Sequence, residues 1–301
     1  MKQLSILDNC NLCVRNCNVN RNLNKIGFCK SSNDIIIARA ALHHWEEPCI
    51  SGDSGSGTVF FSNCNLRCVF CQNHEISQEG YGKSVSIERL SKIFLELQEK
   101  GANNINLVTP THYVPQIIEA LKIAKNSGLS IPILYNTNSI DSIDTIKLLK
   151  GYIDIYLPDY KYFSDKYSMK YSKISNYSKN TINIIKEMVS QVGEPIFDSD
   201  GIMKKGVIIR HLLLPGLLFD SKKVIDSIYN EFGDKVFISL MNQYTPTYNC
   251  SNLTEINKQL NPRSYDSLIN YALSIGVKNG FIQEEGTNTI NYIPDFNLEG
   301  V

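Results

Sequence analysis

Residues 104–137 read NINLVTPTHYVPQIIEALKIAKNSGLSIPILYNT. Two short apolar runs, NINLVTP at 104–110 and IPILYNT at 131–137, flank a segment from Val114 to Asn126. In that segment Ile117, Ile118, Leu121 and Ala124 share one helical face. Gly128 follows as a helix stop. Strand, helix and strand in this order make a parallel β/α repeat. The repeat continues outward on both sides. TVFF at 58–61, DIYLPDY at 154–160, GVIIRHLLLP at 206–215 and VFISLMNQ at 236–243 read as further buried strands, bringing the series to six. A second helix, from about Ile87 to Lys100, places Leu90, Ile93, Phe94 and Leu97 on one face and stops at Gly101. Right-handed crossovers curl such a sheet. Six units predict an α/β fold, a partial (β/α)6 TIM-like barrel, whose chemistry sits at the strand C-termini.

The residues ahead of this series differ. Cys10, Cys13, Cys17, Cys29 and Cys49 fall in a stretch rich in Asn, Ser and Gly, which reads as a small metal-stapled segment. The expected division is a cysteine-rich metal-binding segment over 1–50 and a barrel domain over 51–301. A chain of 301 residues with 43% hydrophobic composition suits one main domain with an appendage. Lys plus Arg and Asp plus Glu both number 30, so no net field draws the chain to nucleic acid or to an anionic membrane. No basic leader with an apolar run and no spanning stretch stands out, and the expected location is the cytosol. In that reducing compartment, nine cysteines point to metal or catalysis rather than to disulfides.

Immediately after TVFF comes Cys64-Asn-Leu-Arg-Cys68-Val-Phe-Cys71, three thiols within eight residues. Electron-carrying 4Fe-4S clusters usually take four cysteines, so three imply an iron kept open for another ligand. A zinc knuckle or inert buried thiols are the alternatives, although zinc sites usually split their cysteines into pairs. The spacing, with Phe70 before the last cysteine, resembles the radical S-adenosylmethionine (SAM) superfamily. The resemblance runs from about Cys10 to Glu285 and is nearest to pyruvate formate-lyase activating enzymes, in an uncharacterised homologous branch. It is carried by ARAALHHWEEPCISG at 38–52, GSGTVFFSNCNLRCVFCQN at 55–73, INLVTPTH at 105–112, DIYLPDYK at 154–161 and RHLLLPG at 210–216.

That resemblance implies a 4Fe-4S cluster on Cys64, Cys68 and Cys71. It further implies one-electron reduction of SAM, and a 5'-deoxyadenosyl radical that takes hydrogen from a substrate. One motif departs from the family: where activating enzymes end the second strand in a Gly-Gly-Glu-like element, this chain has Thr109-Pro110-Thr111-His112. Backbone carbonyls of Val108 or Thr109 can replace it toward the SAM amino group. Tyr135-Asn136-Thr137-Asn138 suits ribose contacts and equally suits a turn. Asp159 and Lys161 resemble the Asp-x-Lys element that lies near SAM and the incoming peptide; a surface ion pair is the alternative. Arg210 is a candidate for the SAM carboxylate or for a structural acidic partner. Gln243, next to Tyr244, closes the sixth strand as a SAM contact or a plain polar strand end, and His112, after the second strand, is a proton or substrate contact or simply a hydrogen-bonded histidine.

Cys10-x2-Cys13-x3-Cys17-x11-Cys29 has enough sulfur for a structural zinc ion or for an auxiliary iron-sulfur cluster. Cys49, beside His43, His44 and Trp45, replaces a ligand, faces the active site or is a small buried hydrophobe, and Cys250 has that last reading too. The expected activity is that of a glycyl-radical-enzyme activase. Modification of another peptide or a small molecule, and an iron-sulfur electron carrier without SAM, are the other readings. Expected partners are a protein or peptide substrate and a low-potential donor such as flavodoxin or ferredoxin, in an organism living without oxygen.

Overall fold

The computed structural model describes residues 4–283 and 294–301. The strands in chain order are β1 (Ile35–His43), β2 (Ser56–Phe61), β3 (Lys83–Val85), β4 (Ile105–Val108) and β5 (Ile133–Thr137). They continue with β6 (Ile155–Pro158), β7 (Ile196–Phe197), β8 (Met203–Leu212), β9 (Phe237–Met241) and β10 (Gly280–Ile282). The helices are α1 (Pro48–Ser51), α2 (Ile87–Glu99), α3 (Val114–Asn126), α4 (Ile143–Leu148), α5 (Asp165–Ser172), α6 (Tyr177–Val192), α7 (Leu218–Phe232) and α8 (Pro262–Ser274).

One sheet runs in the order β10-β9-β8-β6-β5-β4-β2-β1-β3 and does not close on itself. From β2 to β10 every neighbouring pair is parallel. The six strands expected from the sequence are all present, and β10 adds a short seventh. Every residue of β2 and β5 is buried, which is why these strands show as unbroken apolar runs. α2 starts on Ser86, whose side chain accepts from the Arg89 amide, and buries Leu90, Ile93, Phe94 and Leu97. α3 begins with Pro115 in its first turn and buries Ile117, Ile118, Leu121 and Ala124 completely.

The sheet reaches back ahead of residue 50. β1 pairs antiparallel with β2 and with β3, so the sheet begins at Ile35. The apolar run Ile35-Ile36-Ile37 is a strand signal that lies between Cys29 and Cys49, and it belongs to the barrel rather than to the metal segment. Before it, residues 10–29 lie on the barrel: Cys13 bridges to Asp141, Val14 N donates to Ile140 O at 3.0 Å, and Ser142 N donates to Leu12 O at 3.0 Å.

Alternation along the strands builds the interior in two levels. Leu134, Ile155, Leu157 and Ile208 form an apolar lower level with Met203, closed by Cys49 and Ile50 of α1. One step further along the same strand faces stand Asn136, Asp159 and Arg210. The polar level is therefore at the strand C-termini. No helix among the described residues is long and apolar enough to cross a membrane.

Candidate active site

The C-terminal ends of the strands open into a cavity of about 880 Å³. Its wall contains Cys64, Cys68 and Cys71 and, from the other sequence candidates, Phe70, Thr109, Asn136, Asn138, Asp159, Lys161, Arg210 and Gln243. Residues 149 apart in sequence, Phe61 at the end of β2 and Arg210 on β8 (210 − 61), thus face one space.

The cysteine loop is clasped from several sides. Arg67 donates to the carbonyls of Cys64 (2.6 Å), Leu66 (2.7 Å) and Phe28 (2.5 Å). Val69 N donates to Tyr171 O at 2.9 Å. A single π-helical turn, Glu75–Glu79, follows the loop, and its Gln78 amide donates to Cys68 O at 2.9 Å. Each sulfur has a polar neighbour: Asn138 Nδ2 at 3.4 Å from Cys64, Ser172 Oγ at 3.0 Å from Cys68 and Ser77 Oγ at 3.2 Å from Cys71. Burial pushes the Cys64 thiol up to about 12 and Cys68 up to about 11, and binding of a metal would displace these protons. The trio therefore suits a cluster with one open iron: three cysteines and no fourth line the cavity among the described residues.

The same wall carries a largely buried charge network that reaches Cys68 through Lys161. Arg210 spreads its fork over three acceptors: Asp159 Oδ1 (2.9 Å), Glu46 Oε2 (3.2 Å) and Asn136 Oδ1 (2.5 Å). Lys161 Nζ donates to the other Asp159 oxygen at 2.6 Å. Burial would raise the Asp159 carboxyl, but Lys161 and Arg210 outweigh it and hold it below the usual range. Burial likewise opposes the Lys161 ammonium, and Asp159 and Cys68 keep it above the ordinary lysine value. Glu46 also accepts from Asn106 Nδ2 at 2.9 Å. Beside it Glu47 is buried, and burial raises its carboxyl despite the nearby Arg210.

These contacts place the candidates. Arg210 is engaged by Asp159 and Glu46, the structural acidic partners that are one of its two readings, and by Asn136. Asn138 donates to Asn65 Oδ1 at 2.7 Å and to Cys64, so it braces the cysteine loop. Tyr135 and Thr137 turn away to the buried Asp141, each at 2.6 Å. Tyr244 donates to Ile256 O at 2.6 Å on the core side. His112 is 3% exposed, held to Ser62 O at 2.8 Å through Nε2, and burial lowers it to about 3; it is outside this cavity and stays neutral. Cys49 belongs to the lower apolar level, and Cys250 is buried behind the loop, 3.5 Å from Val69 O. Cys10, Cys13, Cys17 and Cys29 come together around a second, small cavity.

Sequence reasoning missed Glu46 and Glu47. Both stand in HHWEEPC, but attention there went to the cysteine. It also missed Ser172 and Ser77, single serines with no pattern around them.

A model of the radical SAM superfamily matches residues 58–228. An uncharacterised protein of Methanocaldococcus jannaschii is 30% identical over 266 residues, covering 85% of this chain and 72% of that one. The pyruvate formate-lyase-activating enzyme of Clostridium pasteurianum is 25% identical over 190 residues, 60% of this chain and 71% of that one. Among solved structures, SuiB of Streptococcus suis bound to S-adenosylmethionine matches with a TM-score of 0.53 and 16% identity over 76% of this chain and 50% of SuiB. SuiB bound to its precursor peptide SuiA gives a TM-score of 0.52 and 16% identity over 73% and 46%. The chain spans about half the length of SuiB and shares its fold.

Proposed function

Because the chain belongs to the radical SAM superfamily, we propose that Cys64, Cys68 and Cys71 hold a 4Fe-4S cluster at which SAM is cleaved. The radical so made takes hydrogen from a protein or peptide, foremost from a glycine of a partner enzyme. The observation that carries this reading is the presence of three cysteine thiols and no fourth on the wall of an 880 Å³ cavity, among the described residues. When bound, the cluster supplies one electron to SAM, giving methionine and a 5'-deoxyadenosyl radical. That electron comes from a low-potential donor of the flavodoxin or ferredoxin class.

The protein's own side chains bind, orient and shield. Phe70 and Leu66, both buried, keep water from the loop. Lys161, cationic beside Cys68, offsets the negative charge that three thiolates bring. Arg210 fixes Asp159, Glu46 and Asn136 relative to one another, so that acceptors for an amino group and donors for a carboxylate or ribose keep fixed positions. The Gly-Gly-Glu-like element that activating enzymes carry is absent after β4, and Glu46, in the loop after β1 and bonded to Asn106 of β4, is the carboxylate offered in its stead. Thr109 turns the chain there in the left-handed region, φ +56°.

The similarity to a pyruvate formate-lyase-activating enzyme supports a glycine in a partner enzyme as the target, and the SuiB–SuiA complex supports a peptide more broadly. A small-molecule substrate is the second reading, favoured by the altered Thr109-Pro110-Thr111-His112 element. Membership of the superfamily favours either over simple electron carriage. The test is the EPR spectrum of anaerobically reconstituted, reduced protein with and without SAM, in the parent and in Cys68→Ala. A SAM-dependent change confined to the parent, with 5'-deoxyadenosine as product, is expected. An intact cluster that ignores SAM would overturn the proposal. Adding candidate glycyl radical enzymes and seeking a glycyl doublet then separates the two substrate readings.

A further inference from the structure

Cys10, Cys13, Cys17 and Cys29 line one cavity with Arg15, Arg21, Asn65 and His112, away from the large one. Arg21 is completely buried. Its guanidinium donates to Ser32 O (3.0 and 2.6 Å) and to His112 O (2.6 Å) and stands 3.9 Å from Cys10 Sγ. Arg15 and Arg67 lie over the two sides of the Phe28 ring, 3.4 and 4.7 Å from its centroid, and they too donate to backbone carbonyls. Among the described residues no carboxylate reaches ion-pair distance of Arg15, Arg21 or Arg67. A buried cation without a counter-charge is costly. The anion that would balance buried Arg21, with half-buried Arg15 beside it on the same cavity, is a metal centre on thiolates.

The size of the cavity distinguishes one ion from a cluster. Four sulfurs on zinc at about 2.3 Å leave no room between them for a water-sized sphere, since they stand only about 3.8 Å apart. This cavity, about 20 Å³, has such room. Among the described residues no three Cys, His, Asp or Glu side chains converge on a single ion, and this holds for Cys64, Cys68 and Cys71 as well. In the wall between the two sulfur sites stands Asn65, 1% exposed, with its Nδ2 lacking a hydrogen-bond partner and its Oδ1 accepting from Asn138.

We propose that Cys10, Cys13, Cys17 and Cys29 ligate a second 4Fe-4S cluster, charge-balanced by Arg21 and Arg15, with Asn65 Nδ2 donating to one of its sulfurs. The site is built on the face of the chain that also carries the catalytic loop, so Asn65 touches both centres.

The test is a metal count on full-length protein reconstituted anaerobically with ferrous iron and sulfide. About eight irons per chain are expected, and about four in Cys13→Ser/Cys29→Ser. About four irons with one zinc, or about four irons alone in the parent, would overturn the proposal. A Cys64→Ala/Cys68→Ala/Cys71→Ala variant gives a second measurement: it should keep about four irons and an EPR signal that SAM does not alter. Loss of all iron from that variant, with its circular dichroism unchanged, also overturns it. Failure of SAM to perturb the parent spectrum would instead count against the catalytic proposal, so the two remain separable.

Discussion

Arg210→Lys keeps the positive charge and removes the fork. Arg210 makes three hydrogen bonds, to Asp159, Glu46 and Asn136, on three different segments of the chain. An ammonium is a point donor on a shorter arm and reaches one of these sites at a time. Two charge-assisted hydrogen bonds are then lost, each contributing roughly 1.5–3 kcal/mol, so the cost is about 4 kcal/mol. The side chain of Arg210 is 13% exposed, and solvent does little to recover that loss. An unfolding entropy of about 2.1 cal/mol/K per residue over 301 residues is about 0.6 kcal/mol/K. The expected fall in melting temperature is therefore roughly 6 °C. Differential scanning fluorimetry of cluster-free parent and variant reads it directly, and SAM titration of the loaded proteins reads the effect on the site. A variant melting within about 1 °C of the parent would show that the three acceptors do not depend on this fork.

Glu47→Gln replaces a carboxyl that burial already favours in its neutral form, so urea midpoints should shift by less than about 1 kcal/mol. Glu46→Gln removes half of an ion pair and should cost about 2 kcal/mol in the same titration. Thr109→Gly should raise stability by about 1 kcal/mol in thermal melts, since a β-branched residue at φ +56° is strained. Burial lowers His112 to about 3 and His211 to about 4, so the unfolded chain binds more protons than the fold once pH drops below the ordinary histidine value. Stability from these two groups is complete above about pH 6.5 and falls through the acid range, by about 2 kcal/mol each at pH 5. Urea unfolding at pH 7.5 and pH 5 checks this, and equal midpoints would contradict it.

The parallel strands were legible because both of their faces are covered, which leaves a continuous apolar word such as IPIL or GVII. β10 was not, because Gly280–Ile282 is three residues long and half in solvent, with no run to detect. β1 has the clearest apolar run of all, although it lies between Cys29 and Cys49 and reads with them. The cysteine trio was legible because its ligands are local. Asp159, Lys161 and Arg210 could be read as polar residues ending apolar strands. Their actual pairing could not, since Glu46 meets Arg210 across 164 positions and no local spacing encodes such a contact. His112 illustrates the reverse: it sits in a motif at a strand end, and its backbone turns it to Ser62 and away from the cavity.

The clasp of residues 10–29 on the loop after β5 has a consequence for biosynthesis. Cys10 to Cys29 leave the ribosome before the loop they dock on, which runs to Ser142 and in which Asn138 braces Cys64. At about 5–20 residues per second, translation needs on the order of ten seconds to pass from one to the other. For that interval four thiols travel on a nascent chain without the surface that later covers them, and the fold does nothing to keep them from pairing wrongly.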